Sequence, residues 1–181
     1  AMELKQKNAA EVIVFSADLS QKNETLAFAG FCIGFGTAEI LVNNAGVYIG
    51  GNIVDEPEGI LEKMMDTNLY SAYHLTRALL PSMIKNGRGH IFNICSIASL
   101  QPYQGGGGYS ISKYAMNGFS QNLRHELKDK GIKVTTVFPG AVMTDSWAGF
   151  DNSGKRIMEA GDIAQMIFAA STLSPQAVVE D

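Results

Sequence analysis

An α/β fold, with a parallel sheet covered by helices on both faces, is predicted by three features of this sequence. Short apolar runs rich in Val, Ile and Phe alternate with longer segments of helical periodicity. Each run is apolar nearly throughout, as a strand buried on both faces should be, rather than alternating like a half-exposed antiparallel strand. The chemically suggestive residues also gather just after the runs, and open α/β sheets bind ligands outside the carboxyl ends of their strands.

The first run covers residues 12–15, and the others cover 40–43, 90–95 and 132–138. All are too short to be helices. After Pro57, a favourable first helical residue, Ile60, Leu61, Met64, Met65, Leu69, Leu75, Leu79 and Leu80 recur three to four positions apart. The spacing predicts one long helix that bends at Pro81 and stops at Asn86-Gly87. A second helix is expected from about Tyr109 to Lys128, with Ile111, Ala115, Phe119, Leu123 and Leu127 as its stripe and Gly131 as its stop. A third runs from about Asp162 to Thr172, and Ala177-Val178-Val179 begins a further strand.

The 181 residues suit one domain, and the 46% apolar and 18% charged fractions are those of a globular chain. A net charge of −4 with scattered acids offers no basic stripe for nucleic acid. No apolar run approaches the roughly 20 residues that span a bilayer, and residues 1–7 lack the features of a signal peptide. Cys32 and Cys95 stand alone, without metal-ligand spacing, and are expected to be reduced, mostly buried thiols. A cytoplasmic location, no membrane partner and no metal are the expectations.

Tyr109-Ser110-Ile111-Ser112-Lys113 is the sharpest motif. Positions i and i+4 share a helix face, so an ammonium lies within reach of a phenol. The cation and the helix N-terminus are expected to lower the phenol pKa, giving a general acid/base. By itself the spacing is common on surface helices. Ser96 ends a buried run, where a hydroxyl could polarise a carbonyl oxygen, although serine there is more often a cap. Asn68 falls inside the long helix, where its amide competes with backbone bonds; it is either a solvent-facing or satisfied residue, or a kink offering a carbonyl and a water site. Asn43-Asn44-Ala45-Gly46 follows an apolar run with small residues that admit a flat ligand, and an Asn there can tie neighbouring strands together.

Taken in order, Asn43 to Gly46, Asn68, Ser96, Tyr109 with Lys113, and Pro139-Gly140 with Thr144 resemble the short-chain dehydrogenase/reductases. The likeness runs from about Glu11 to Val179. It implies a Rossmann-type, doubly wound parallel sheet in three layers that binds NAD or NADP, and an oxidoreductase acting on a carbonyl/alcohol pair. Tyr109 would be the general acid/base, and Lys113 would lower its pKa and bond the nicotinamide ribose. Ser96 would orient the substrate carbonyl, and Asn68 would hold a water in a proton relay. Asp18 and Leu19 would lie near the adenine, Asn44, Ala45 and Gly46 along the adenosine ribose, and Pro139, Gly140, Val142 and Thr144 against the nicotinamide. Leu123 to Leu127 and Gly131 to Val134 are similar to the 3-oxoacyl-carrier-protein reductase branch, and the resemblance leans to NADP.

The family opens with a strand, a Gly-rich turn and a helix that cradle the pyrophosphate. This chain shows no such opening. Gly34-Phe35-Gly36 precedes a strand, where a phosphate loop would follow one. In the family's strand order two further strands separate the runs at 12–15 and 40–43, a gap of roughly 14 Å. The chain is therefore expected to be part of a longer polypeptide, its fold incomplete at the N-terminus.

A non-catalytic binding or scaffold subunit is the alternative reading, opposed by the full set of Asn68, Ser96, Tyr109 and Lys113. A serine hydrolase is disfavoured because no G-x-S-x-G elbow surrounds Ser96. Residues 145–161, with Trp147, Phe150 and Met158, are expected to form a lid. Tyr73, Met83, Tyr114 and Phe119 are expected to form an exposed patch through which helices associate into a homodimer or homotetramer.

Overall fold

A computed structural model describes residues 11–144 and 157–181. Three strands form a parallel sheet in the order β1 (Ile40–Asn43), β2 (Gly89–Ile94) and β3 (Ile132–Val137). Ile40 to Asn43 pair with His90 to Asn93, and Gly89 to Ile94 pair with Ile132 to Val137. Parallel neighbours need long crossovers, and helices supply them here.

The helices are α1 (Lys22–Ile33), α2 (Ile60–Met65), α3 (Ser71–Asn86), α4 (Gly107–Leu127) and α5 (Ala160–Ser171). One face of the sheet presents Leu41, Ile91, Ile132 and Val134 to Ala29 of α1, Leu75, Leu79 and Met83 of α3, and Leu123 and Leu127 of α4. The opposite face presents Phe92 and Val137 to Ile163, Met166, Ile167 and Ala170 of α5. Ile91 and Phe92 point to opposite sides and both are fully buried. The sheet is thus a middle layer, as the unbroken apolar runs predict, and the α/β expectation holds.

Polar groups tie the layers together. The Asn43 amide donates to Thr76 Oγ1 at 3.0 Å and to Asn93 Oδ1 at 2.8 Å. Asn93 donates in turn to Ser120 Oγ at 2.9 Å, and Ser120 to the Met116 carbonyl. A buried chain of hydrogen bonds therefore crosses from α3 through β1 and β2 to α4, fixing how the helices sit on the sheet. Asn43 ties neighbouring strands as its sequence position predicts.

Several expectations need correction. Residues 12–15 form no strand among the described residues, because a strand exists only where a neighbour supplies the ladder, and none lies beside them. Phe15 packs instead against Phe28 and Phe31 of α1, with ring centroids 5.8 and 4.8 Å away. β1 is covered on one face only, and Ile40 and Val42 on the other are 50% and 40% exposed. α1 went unpredicted because its apolar residues are spread round the whole circumference and leave no stripe for periodicity to find. Residues 177–181 form no regular strand, although Glu180 accepts the Thr136 N–H at 2.8 Å. Of the expected exposed patch, Met83 is fully buried in the core, while Tyr73 and Tyr114 are exposed.

The long helix after Pro57 is in fact three pieces. Gly59, in a left-handed conformation, precedes α2, and a π-helical turn (Asp66–Tyr70) joins α2 to α3. In that turn the Ser71 N–H reaches back five residues to Asp66. One extra residue per turn marks a local insertion in the helix, a feature frequent at functional sites. α3 continues through Pro81 and ends at Gly87, whose φ of 64° caps it.

Candidate functional site

A cleft of about 620 Å³ opens at the carboxyl ends of the three strands. It is lined by Asn44 and Gly46 after β1, Ser96 after β2, Tyr109 and Lys113 on α4, and Pro139, Gly140, Val142 and Thr144 after β3. These nine residues, named from sequence, meet in one place. Ala45 lies exposed between two of them.

Ser96 is the cap that its position suggests, and it also lines the cleft. Its Oγ caps a short 3₁₀ turn (Ile97–Ser99) by accepting the Ala98 N–H at 3.1 Å, and Ser99 Oγ accepts the Ser96 N–H in return. The cap holds the Ser96 hydroxyl in the cleft that Tyr109 also lines. A structural bond holds a chemical group in place.

Lys113 is 6% exposed, and its Nζ donates to the Ile94 carbonyl at 2.9 Å. No carboxylate pairs with it among the described residues. Burial pushes its pKa down, and the Cys95 thiol opposes that only in part. A buried ammonium with one protein acceptor keeps two donors for something else. Gly46 has no side chain here for a spatial reason. A Cβ on it would lie 3.2 Å from Asn68 Oδ1 and 3.7 Å from Lys113 Nζ.

Tyr109 sits in the first turn of α4, with Lys113 Nζ 5.9 Å from its ring centroid. The expected lowering of its pKa is not what the geometry gives. Burial pushes the phenol above its ordinary value, and the Ser96 hydrogen bond only partly opposes this. The ammonium is committed to the Ile94 carbonyl rather than to the phenol oxygen. Tyr109 is accordingly a neutral acid at physiological pH.

Asn68 is 1% exposed in the π-helical turn. Its Oδ1 accepts the Val47 N–H at 2.7 Å, and its Nδ2 donates to the Val47 carbonyl at 3.0 Å and to Ser112 Oγ at 2.9 Å. The side-chain amide is fully used, so it pins the strand-end loop to α4 rather than presenting itself to the cleft. Asp18 and Leu19 are not brought to the cleft. Asp18 is exposed, its carboxylate accepts from Ser20 N and Oγ, and the Leu19 carbonyl accepts from Thr25 Oγ1 at the start of α1. Of the lid residues, Trp147 and Phe150 lie outside the described residues. Met158 is in the two-residue strand β5 (Met158–Glu159), which pairs with β4 (Val142–Met143) and holds Thr144 near the cleft.

Four participants escaped the sequence reading. Tyr48 and Tyr103 line the cleft, Ser112 links Asn68 to the Tyr109 carbonyl, and Glu56 Oε1 accepts the Gly108 N–H at 2.8 Å, at the N-terminus of α4. The Gly105 to Gly108 tetrad was the available signal, since a Cβ on Gly107 would fall 2.1 Å from that carboxylate. Gly107 and Gly108 form a cradle for Glu56.

The short chain dehydrogenase family matches residues 1–153. An uncharacterized oxidoreductase of Staphylococcus epidermidis is 32% identical over 171 residues, covering 94% of this chain and 74% of that protein. Among solved structures, a metagenomic short-chain oxidoreductase in complex with NADP is similar at 30% identity and a TM-score of 0.81, over 98% of this chain and 74% of that one. Serine dehydrogenase from Escherichia coli is similar at 29% identity and a TM-score of 0.84, over 99% and 78%. This chain belongs to the short-chain dehydrogenase family.

Proposed function

We propose, from that membership, that the protein is an NAD(P)-dependent oxidoreductase moving a hydride between the nicotinamide and a small-molecule carbonyl/alcohol pair, with Tyr109 as general acid/base. The observation that carries the reading is the meeting of Ser96, Tyr109 and Lys113 in one cleft at the strand ends. The residues fit a dinucleotide because Lys113 offers unspent donors and Gly46 offers bare backbone beside it. Asn44, Ala45 and Gly46 would follow the ribose on one side, and Pro139, Gly140, Val142 and Thr144 would face the nicotinamide on the other. Asp18 and Leu19 are assigned to the adenine end on family resemblance alone. The bound cofactor supplies or takes the hydride.

The residues of the chain handle the proton. In the reductive direction Tyr109 donates its phenol proton to the carbonyl oxygen, and the Ser96 hydroxyl donates a hydrogen bond to that same oxygen. Lys113, with its Nζ 5.9 Å from the Tyr109 ring centroid, would partly offset the charge of the phenolate that forms. Asn68 holds the loop from β1 against α4 through Val47 and Ser112, and the π-helical turn at its backbone is the proposed water site of a proton relay. Because burial favours the protonated phenol, carbonyl reduction proceeds at neutral pH and alcohol oxidation accelerates as pH rises.

We further propose a single Rossmann-type domain, a cytoplasmic protein, and a branch nearest the 3-oxoacyl-carrier-protein reductases. The solved NADP complex of a relative supports NADP as the preferred cofactor. No helix of the described residues is long and apolar enough to cross a membrane. The groove between α3 and α4, with Tyr73, Pro81 and Phe119, supports helix-to-helix association into a homodimer or homotetramer. The test is NADPH and NADH consumption with a panel of ketones and aldehydes. Turnover by the wild type, abolished in Tyr109→Phe with cofactor affinity retained, is the expected result. Activity surviving in Tyr109→Phe would refute the role given to that residue.

A further inference from the structure

The outer half of the cleft is built from two segments that follow β1 and β2 and are stitched to each other. Gly51 N–H donates to the Gly105 carbonyl at 3.0 Å, and Gly105 N–H to Asn52 Oδ1 at 3.1 Å. Each segment contributes a tyrosine. Tyr48 meets Tyr109 edge-on, with ring centroids 4.9 Å apart and planes at 90°. Its hydroxyl lies back over Gly50, where a Cβ would fall 2.7 Å from the oxygen, and Tyr103 lines the same wall of the cleft. The edge contact with Tyr109 and the stitched segments therefore place the Tyr48 ring beside the reacting phenol.

The remaining wall is equally informative. Lys113 is the only charged side chain among the described lining residues, and it is bonded to Ile94 at the base. No guanidinium or second ammonium is left among them to receive a carboxylate or phosphate on a substrate. The apolar and aromatic part of the lining includes Val47, Tyr48, Ile97, Tyr103 and Val142. The two aromatic rings are 50% and 45% exposed, so they present faces to an incoming molecule rather than to a packed core. Aromatic rings prefer edge-to-face or offset partners, and their pairing adds to affinity beyond the area buried.

We infer that Tyr48, supported by Tyr103, is a specificity-determining residue that selects uncharged carbonyl substrates with an aromatic ring next to the carbonyl. The inference rests on the oxidoreductase reading for its reaction, and on the cleft for its selectivity.

The test separates the two. Binding of 1-phenylethanol, 1-cyclohexylethanol and 4-(1-hydroxyethyl)benzoate to the full chain is followed by NMR titration, with acetophenone-dependent NADPH oxidation measured in parallel. Phenylethanol should bind about tenfold more tightly than its cyclohexyl counterpart, as expected for aromatic pairing, and the benzoate should be weaker than both. Tyr48→Leu should erase the aryl preference, and Gly50→Ala, which displaces the ring without deleting it, should reduce it. Equal binding of the aryl and cyclohexyl alcohols, an aryl preference that survives Tyr48→Leu, or tighter binding of the benzoate would each overturn the inference. Absence of turnover with every carbonyl would refute the oxidoreductase reading and leave the binding preference to be judged on its own.

Discussion

Two basic residues on α4, Lys113 and Arg124, reach the same sheet and live in opposite circumstances. Lys113 is buried at the carboxyl end of the strands with one carbonyl acceptor. Arg124 lies three turns later and is saturated. It bonds the Val134 carbonyl at 3.4 Å, Thr136 Oγ1 at 2.9 Å, the Glu180 carbonyl, and Asp181 Oδ1 at 2.7 Å. It thereby straps residues 180 and 181 beside β3, which the Thr136 to Glu180 backbone bond also holds. A planar guanidinium fits several fixed acceptors at once, whereas an ammonium left with unspent donors is available to a ligand. An unsatisfied buried charge costs stability, and a fold retains it where function requires it.

The sharpest way to break this comparison is to remove the chemistry at the Lys113 end while sparing the fold. Tyr109→Phe should lower kcat by about 10³-fold or more, the range for loss of a general acid, with the circular dichroism spectrum and melting temperature unchanged. Lys113→Met should lower kcat by about 10²-fold, as for loss of one electrostatic stabiliser. Because it deletes an uncompensated buried cation, it should leave the melting temperature equal or higher. A clear drop in stability would mean that Lys113 is structural after all.

Arg124→Met should show the reverse pattern. A loss of about 2 kcal/mol is expected from hydrogen bonds to a charged group, readable in urea denaturation, with kcat preserved below the transition. Loss of kcat at full stability would place Arg124 in the chemistry and dissolve the contrast.

The smallest effect concerns pH. His90 Nε2 bonds Thr135 Oγ1 at 2.8 Å, and Thr135 donates onward to the Val179 carbonyl, so Nε2 carries the proton and the buried Nδ1 has no partner. Burial, aided by the positive charge of Lys133, pushes the His90 pKa down from 6.5 to about 4. Between those values the folded state holds fewer protons than the unfolded one. Stability is therefore full above pH 6.5 and drains as pH falls toward 4. The loss between pH 8 and 5.5 should be on the order of 1 kcal/mol, and His90→Gln should flatten that slope. An unchanged slope in the variant would assign the acid sensitivity elsewhere.

Much of the fold was legible because β2 and β3 are buried on both faces and so read as near-continuous apolar runs. The strand at Ile40–Asn43 has its predicted bounds, that at Gly89–Ile94 is shifted by one residue at both ends, and that at Ile132–Val137 ends one residue earlier than predicted. Residues 12–15 carry the same composition and form no strand, since hydrogen-bonding neighbours lie outside any local window. α1 escaped because a helix apolar on all sides has no period to detect. Of the two readings open for Asn68, the amide is a satisfied one, and its backbone lies in a π-helical turn that periodicity alone did not reveal.

The sequence by itself determined the chemical set. Ser96, Tyr109, Lys113, Gly46 and Pro139 are chosen by residue type and by their place just after strands or at a helix start, which are local properties. Tertiary structure alone decided their electrostatics and their company. Whether Tyr109 titrates down or up depends on where the Lys113 ammonium points and how deeply the phenol is buried, and neither is written in a five-residue motif. Tyr48, Tyr103 and Glu56 enter the site only because separate segments are brought together at the mouth of one sheet, over distances that local patterns do not encode.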